Sequence, residues 1–180
     1  MRFASSAMVA AAALTFASSA SASDEGWDTA STVGVGALAA WSIGVPVVTG
    51  DEPGALQAAG SIASAYAVAK GLKEVFPEAR PDGSDNRSFP SGHTAAAFGA
   101  AASILERRGA GEGIPALALA SFVGFARVEA RRHHWYDALA GAAVGTGSGL
   151  LLTRPLADKR IAFVPWIDST GGGAHVAMAF

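Results

Sequence analysis

Five stretches of this chain contain no charged side chain: Thr29 to Gly50, Gly54 to Ala69, Thr94 to Leu105, Gly113 to Ala126 and Ala138 to Thr153. Alanine, leucine and scattered valine dominate them, and prolines fall near their ends at Pro53, Pro115 and Pro155. That composition predicts helices, and Gly109, which follows the charged turn Glu106-Arg107-Arg108, fits a C-terminal cap. The expected fold is therefore an all-α bundle of about five helices. Only the first stretch exceeds the roughly 18 apolar residues of a membrane span; the others are short enough to be core helices in water. Their glycines and alanines let helix backbones approach closely in either medium.

The remaining segments sort by position. Met1 to Ala22 has one cation, Arg2, an apolar run from Ala7 to Ala17, and the small-x-small sequence Ala20-Ser21-Ala22. This is the pattern of a cleavable secretory signal, so the mature chain is expected to begin near Ser23 and to be exported to a bacterial cell envelope. Residues 23–158 then form the helical domain, with a motif-bearing core at 54–153. The tail, 159–180, reads as a β-hairpin in which Ile161 to Ile167 and Ala174 to Phe180 flank a glycine loop, and a lone hairpin is expected to dock on something. The absence of cysteine excludes disulfides, thiolate metal sites and thiol nucleophiles. A formal charge of -2 provides no electrostatic footprint for nucleic acid.

The charged and polar residues at the helix ends carry the chemistry. Ser91 is a good N-cap, so the amides of Gly92, His93 and Thr94 face outward at a helix N-terminus, where an oxyanion binds. Lys73, Arg80 and Arg127 add cations suited to a phosphoryl group. His133 and Asp137 are four apart and share a helix face, so the carboxylate can fix the imidazole tautomer of a histidine nucleophile. His93, from another helix, is placed to protonate a leaving oxygen. If consecutive helices alternate in direction, all of these residues fall at one end of the bundle.

Taken in order, Lys73 to Pro81 (Lys-x6-Arg-Pro), Pro90 to His93 (Pro-Ser-Gly-His) and Arg127 to Asp137 (Arg-x5-His-x3-Asp) resemble the three-part pattern of the type 2 phosphatidic acid phosphatase and vanadium haloperoxidase superfamily. The resemblance spans about Gly54 to Thr153. It implies that His133 is the nucleophile of a phosphohistidine intermediate, Asp137 its orienting partner and His93 the acid and then the base. It also implies a phosphate cradle of Lys73, Arg80, Ser91, Gly92 and Arg127, and no metal. One departure is Ala126, which stands where the family pattern has serine. His134 is read as a rim or structural residue, and His175 is given no role.

The resulting expectation is a phosphatase acting on a phosphomonoester or pyrophosphate, of a lipid or another small phosphoester. Association with the inner membrane and an active site facing the periplasm are expected. Trp27, Trp41, Trp135 and Phe89 are candidates for an apolar wall, with core packing as the alternative. Two other functions compete: a vanadate-dependent haloperoxidase, in which vanadate is cofactor rather than inhibitor, and a non-catalytic protein that binds anionic headgroups.

Overall fold

Capping sets the first helix. Ser23 accepts a hydrogen bond from the Gly26 amide and is followed by Asp24 and Glu25, whose charges favour a helix N-terminus. The helix α1 (Asp24–Thr49) thus starts ahead of the uncharged stretch and runs for 26 residues. It holds a π-helical turn, Ala40–Gly44, just before Pro46, whose missing amide cannot continue the α-helical ladder. Gly50, at φ 76°, ends it in the left-handed region. The computed structural model describes residues 23–156 together with the backbone of 161–168 and 171–178. The expected secretory signal at 1–22 lies outside the described residues.

Four more helices follow: α2 (Glu52–Val75), α3 (Gly92–Arg108), α4 (Ala110–Glu129) and α5 (Trp135–Leu152). Each occupies one of the uncharged stretches, most of them reaching into the charged residues that cap its ends. Asp51 caps α2 by accepting from the Gly54 amide, and α2 stops before Pro77, as a residue preceding proline disfavours helix. Ser91 caps α3. Because α4 begins at Ala110, it joins α1 as a helix long and apolar enough to cross a membrane.

Helix α3 is the axis of the bundle, with α1, α4, α5 and α2 packed around it. Most of its core residues are alanines, buried from Ala95 to Ala102, and the larger side chains Leu38, Trp41, Ile104 and Val123 fill the space towards α1 and α4. Against α5 the approach is closer still. Gly141, Gly145 and Gly149 form a stripe, and a Cβ at these positions would lie 2.5 Å from the Ser91 oxygen, 2.2 Å from the Ala95 oxygen and 2.5 Å from the Ala102 Cβ. At the end of the bundle away from His93, Arg107 pairs with Asp51 and donates to the carbonyls of Arg154 (2.9 Å) and Pro155 (3.2 Å).

Beyond the helices the backbone of Ile161–Asp168 (β1) runs antiparallel to Gly171–Met178 (β2), with Ile161 opposite Met178. The side chains of this tail, and the surface on which it is expected to dock, lie outside the described residues.

The glycine stripe separates two substitutions of the same kind. Gly145→Ala is expected to destabilise the protein by about 1–3 kcal/mol through overpacking. Gly147→Ala, where a Cβ meets nothing within 4 Å, is expected to be neutral or stabilising by up to about 1 kcal/mol through helix propensity. Denaturant unfolding of the two variants checks the contrast.

Candidate active site

The alternation of helix direction brings the N-termini of α1, α3 and α5 and the C-termini of α2 and α4 to one end. The loop from Pro77 to Pro90 folds over it as a tight return: Glu78 N donates to Asn86 O (3.0 Å), Arg80 N to Asp85 O (3.0 Å) and Ser88 N to Glu78 O (2.9 Å). Asp82 and Asp85 make local turns by accepting from the amides of Ser84 and Arg87. The Asp82 amide donates to the Arg131 carbonyl and ties the loop to the α4–α5 turn. In that turn Arg131 adopts φ 54°, reversing the chain so that His133 points back into the bundle, 2% exposed.

Asp137 organises the start of α5. Its Oδ2 accepts from the His134 amide (2.8 Å), closing a capping box, and from the buried Ser88 hydroxyl (2.5 Å). The same oxygen lies 3.6 Å from His133 Nδ1. Burial alone would raise the Asp137 carboxyl, but the His133 ring, the Ser88 hydroxyl and the His134 amide outweigh it and hold the group at about 2. Asp137 is therefore a carboxylate at any working pH. The His133 imidazole is pushed below its ordinary value by burial, against the pull of Asp137, and so is neutral near pH 7. Burial, assisted by the Arg127 charge, lowers His93 to about 4. Its Nε2 lies 3.5 Å from the Thr32 hydroxyl of α1.

The N-terminus of α3 is fixed to this centre, as the Ser91 amide donates to the Asp137 carbonyl (3.0 Å). Ser91 Oγ accepts from the Thr94 hydroxyl (2.9 Å) and amide (3.4 Å), which leaves its own proton to donate. Gly92 and His93 are the first residues of α3, where amides have no intrahelical acceptor. Adding a Cβ at Gly92 would crowd the Tyr66 ring at 3.3 Å.

The three expected cradle cations occupy different settings. Lys73 Nζ donates to the carbonyls of Arg87 (2.7 Å), Ser88 (3.0 Å) and Pro90 (2.6 Å), which uses all three ammonium protons to staple the loop. Burial, with the Arg80 charge, lowers it to about 8. Arg80 donates to Asp85 (2.7 Å) and to the carbonyls of Arg132 (3.2 Å) and Arg87 (3.4 Å), so each guanidinium nitrogen has a partner and only the second proton of each terminal nitrogen is left over. Arg127, 4% exposed, pairs with Asp28 and donates to Ser31 Oγ (3.2 Å), both on α1. Asp28 also meets Arg132 at 3.2 Å.

Three buried side-chain atoms among the described residues have no hydrogen-bond partner: Arg127 Nε, His133 Nδ1 and Asp137 Oδ1. Leaving such a group unpaired costs on the order of 1–3 kcal/mol, and packed interiors seldom tolerate it. All three belong to the Arg-x5-His-x3-Asp motif. The chemistry available is an oxyanion site with spare donors beside a neutral, carboxylate-backed imidazole.

Comparison with known proteins agrees with this geometry. Residues 82–161 match the model of the PAP2 superfamily. The lipid A 1-phosphatase of Porphyromonas gingivalis is 41% identical over 76 residues, which is 41% of this chain and 17% of that protein. The lipid A 4'-phosphatase of Helicobacter pylori is 31% identical over 115 residues, 58% of each chain. The match to the PAP2 superfamily thus covers residues 82–161, the part that carries Pro90 to His93 and Arg127 to Asp137. The chain spans less than two thirds of both relatives' lengths. The crystal structure of Aquifex aeolicus LpxE shares the fold of this chain, with a TM-score of 0.61 over 71% of this chain and 83% of that one, at 22% identity.

Sequence reasoning missed the part played by α1 at this end of the bundle. Asp28, Ser31 and Thr32 face Arg127 and His93 from its first two turns, and the same parity argument places the α1 N-terminus at this end. Ser88, on the loop, was missed as well. Ala126 is fully buried in α4. One group could hold a metal: Glu78, His134 and Asp137 have ligand atoms within 4.8 Å of one another. Asp137 Oδ2 in that group already accepts from Ser88 and from the His134 amide.

Removing the α1 carboxylate tests its weight. Asp28→Ala is expected to cost about 1–3 kcal/mol in denaturant unfolding, because Arg127 is left as a buried charge without its partner. Asp28→Asn, which can still accept from Arg127, is expected to lose less than half as much.

Proposed function

We propose that this protein is a metal-independent phosphatase of the PAP2 superfamily that cleaves a phosphomonoester or pyrophosphate from a lipid of the cell envelope. The observation that carries the reading is the buried His133–Asp137 pair, 3.6 Å apart, with Asp137 hydrogen-bonded to the N-terminus of α3. The lipid A phosphatases to which the chain is similar support a phosphorylated lipid as substrate class.

In the proposed reaction the phosphoryl group lies against the amides of Gly92 and His93, the Ser91 hydroxyl, and the uncommitted donors of Arg80 and Arg127. The Asp137 carboxylate, 3.6 Å from His133 Nδ1 in the free protein, closes on the Nδ1 proton as the ring becomes cationic, and the Nε2 lone pair attacks phosphorus. The bond between phosphorus and the leaving oxygen breaks, and that oxygen takes a proton from His93. Water then attacks the phosphohistidine, gives its proton to His93, and releases inorganic phosphate with the His133 lone pair restored. A bound dianion raises the proton affinity of His93, which rests neutral in the free protein. Vanadate is expected to inhibit by occupying the same cradle. Helices α1 and α4 support membrane association, and we place the active end on the periplasmic side. Retention of the protein by membranes through a carbonate wash tests that association.

Phosphate release from phosphatidate, phosphatidylglycerol phosphate, undecaprenyl pyrophosphate, lipid A and an aryl phosphate, with chelator throughout, tests the reading. Turnover of at least one lipid is expected. His133→Ala should lower it by roughly 10³-fold or more, and unchanged release from that variant sinks the assignment. Loss of activity in chelator and recovery on adding a metal would overturn the metal-independent scheme.

The pH profile follows from the two histidines. The free protein needs His133 neutral, and its value is lowered from 6.5; it also needs a proton on His93, which is lowered to about 4. The profile of kcat/KM for an aryl phosphate is expected to be bell-shaped, with its maximum on the acid side of 6.5. His93→Asn should remove the limb that falls as pH rises.

A further inference from the structure

His133 has a carboxylate four residues on in its own motif, whereas Pro-Ser-Gly-His gives His93 none. What His93 meets instead comes from α1. Its Nε2 lies 3.5 Å from the Thr32 hydroxyl oxygen. Thr32 in turn donates its hydroxyl proton to the Asp28 carbonyl, one helical turn earlier, at 3.1 Å. With that proton committed, the oxygen presents a lone pair to the imidazole and accepts from it. Such a bond is stronger to a charged ring than to a neutral one, so the contact favours the protonated form of His93.

The charged groups around His93 divide by sign. Burial, with the charges of Arg127 on α4, His133 ahead of α5 and Arg80 in the loop, lowers the ring to about 4, while the Asp28 carboxylate of α1 favours the proton. Tyr66 of α2 faces the same turn of α3 beside Gly92. Helix α1 is thus the side from which the proton is held, by charge from Asp28 and by direct contact from Thr32. The two residues are four apart and share a helix face. Asp28 also serves Arg127 and Arg132, so its removal disturbs the phosphate cradle as well. The hydrogen bonds of the Thr32 hydroxyl go to the Asp28 carbonyl and to His93, and the residue is exposed. Its substitution therefore reads the contact with His93 and leaves no buried void.

We propose that Thr32 is the positioning residue of His93: its oxygen accepts from Nε2 of the protonated ring and holds that ring at the cradle for proton transfer to the leaving oxygen. The proposal rests on the reading of the site as a phosphatase, and it gives α1 a part in the reaction that the three motifs do not include. As the bond from phosphorus to the leaving oxygen breaks, that oxygen keeps the electron pair and takes the proton. His93 is left neutral until the attacking water returns a proton to it.

Two aryl phosphates separate this role from a structural one. Phenolate is a poor leaving group and needs the proton of His93, whereas dinitrophenolate departs without one. Thr32→Val is expected to lower kcat/KM for phenyl phosphate by about fivefold or more and for dinitrophenyl phosphate by less than about twofold. It should also move the limb of the phenyl phosphate profile that falls with rising pH to lower pH. Thr32→Ser, which restores the hydroxyl, should recover most of the loss. No loss, equal loss on both substrates, no recovery in Thr32→Ser, or the same selective loss from Ser31→Ala, which reaches Arg127 from the same turn, overturns the role. NMR titration of the His93 ring in the full chain reads the contact without turnover: Thr32→Val should titrate at lower pH than wild type, and equal values overturn the proposal. A wild type that hydrolyses neither ester while the titration moves as expected overturns the phosphatase reading instead, so the two failures are distinguishable.

Discussion

The hydrogen bond from the Ser91 amide to the Asp137 carbonyl, 3.0 Å, is the constraint on which the active end depends. It joins the first turn of α3 to the first turn of α5, and it forms because Gly141, Gly145 and Gly149 let the two backbones approach. With the helices in that register, His93 on α3 and His133 before α5 come to the same end of the bundle. A side chain on the stripe would push α5 away along its length, and the displacement would appear at the imidazoles. The small residues of the core thus set where His93 and His133 stand rather than merely filling space.

A second constraint is the pairing of charge. Lys73 spends its protons on three carbonyls, Arg80 meets Asp85, Arg127 meets Asp28, and Arg132 bridges Asp28 and Asp82. These partners hold the loop, α1 and the α4–α5 turn against one another, so the site is preorganised before a ligand arrives. Lys73 shapes the loop. Its staple draws the carbonyls of 87, 88 and 90 inward and sets the entry of the chain into Ser91, where the oxyanion amides begin.

Much of this was legible in the sequence. The uncharged stretches marked all five helices, and their alternation placed Lys73, Arg80, His93, Arg127, His133 and Asp137 at one end. Helix limits were less legible, because Asp24, Lys73, Arg107 and Arg127 lie in first or last turns where charge favours a helix terminus rather than interrupting it. The role of Asp28 was not legible. A lone acid in a first turn is ordinary, and its partner is set by α1 leaning on α4, where Trp27 packs against Phe122 and Phe125. Nor does a list of cations show that Lys73 faces carbonyls, since that depends on the curvature of a loop.

The same pairing bears on how a substrate is selected. With a formal charge of -2 overall and acids matched to most of the cations at the active end, the protein projects little positive field beyond a Debye length of about 8–10 Å. Recognition of a phosphoryl group therefore rests on short-range donors: the α3 amides, the Ser91 hydroxyl, and the free edges of Arg80 and Arg127. Such donors act only on a group already seated, so anionic character alone does not bring a ligand in. Capture must come from another part of the molecule. Trp135 and Leu139, 65% and 61% exposed on the first turns of α5, present apolar surface at the same end of the bundle as these donors.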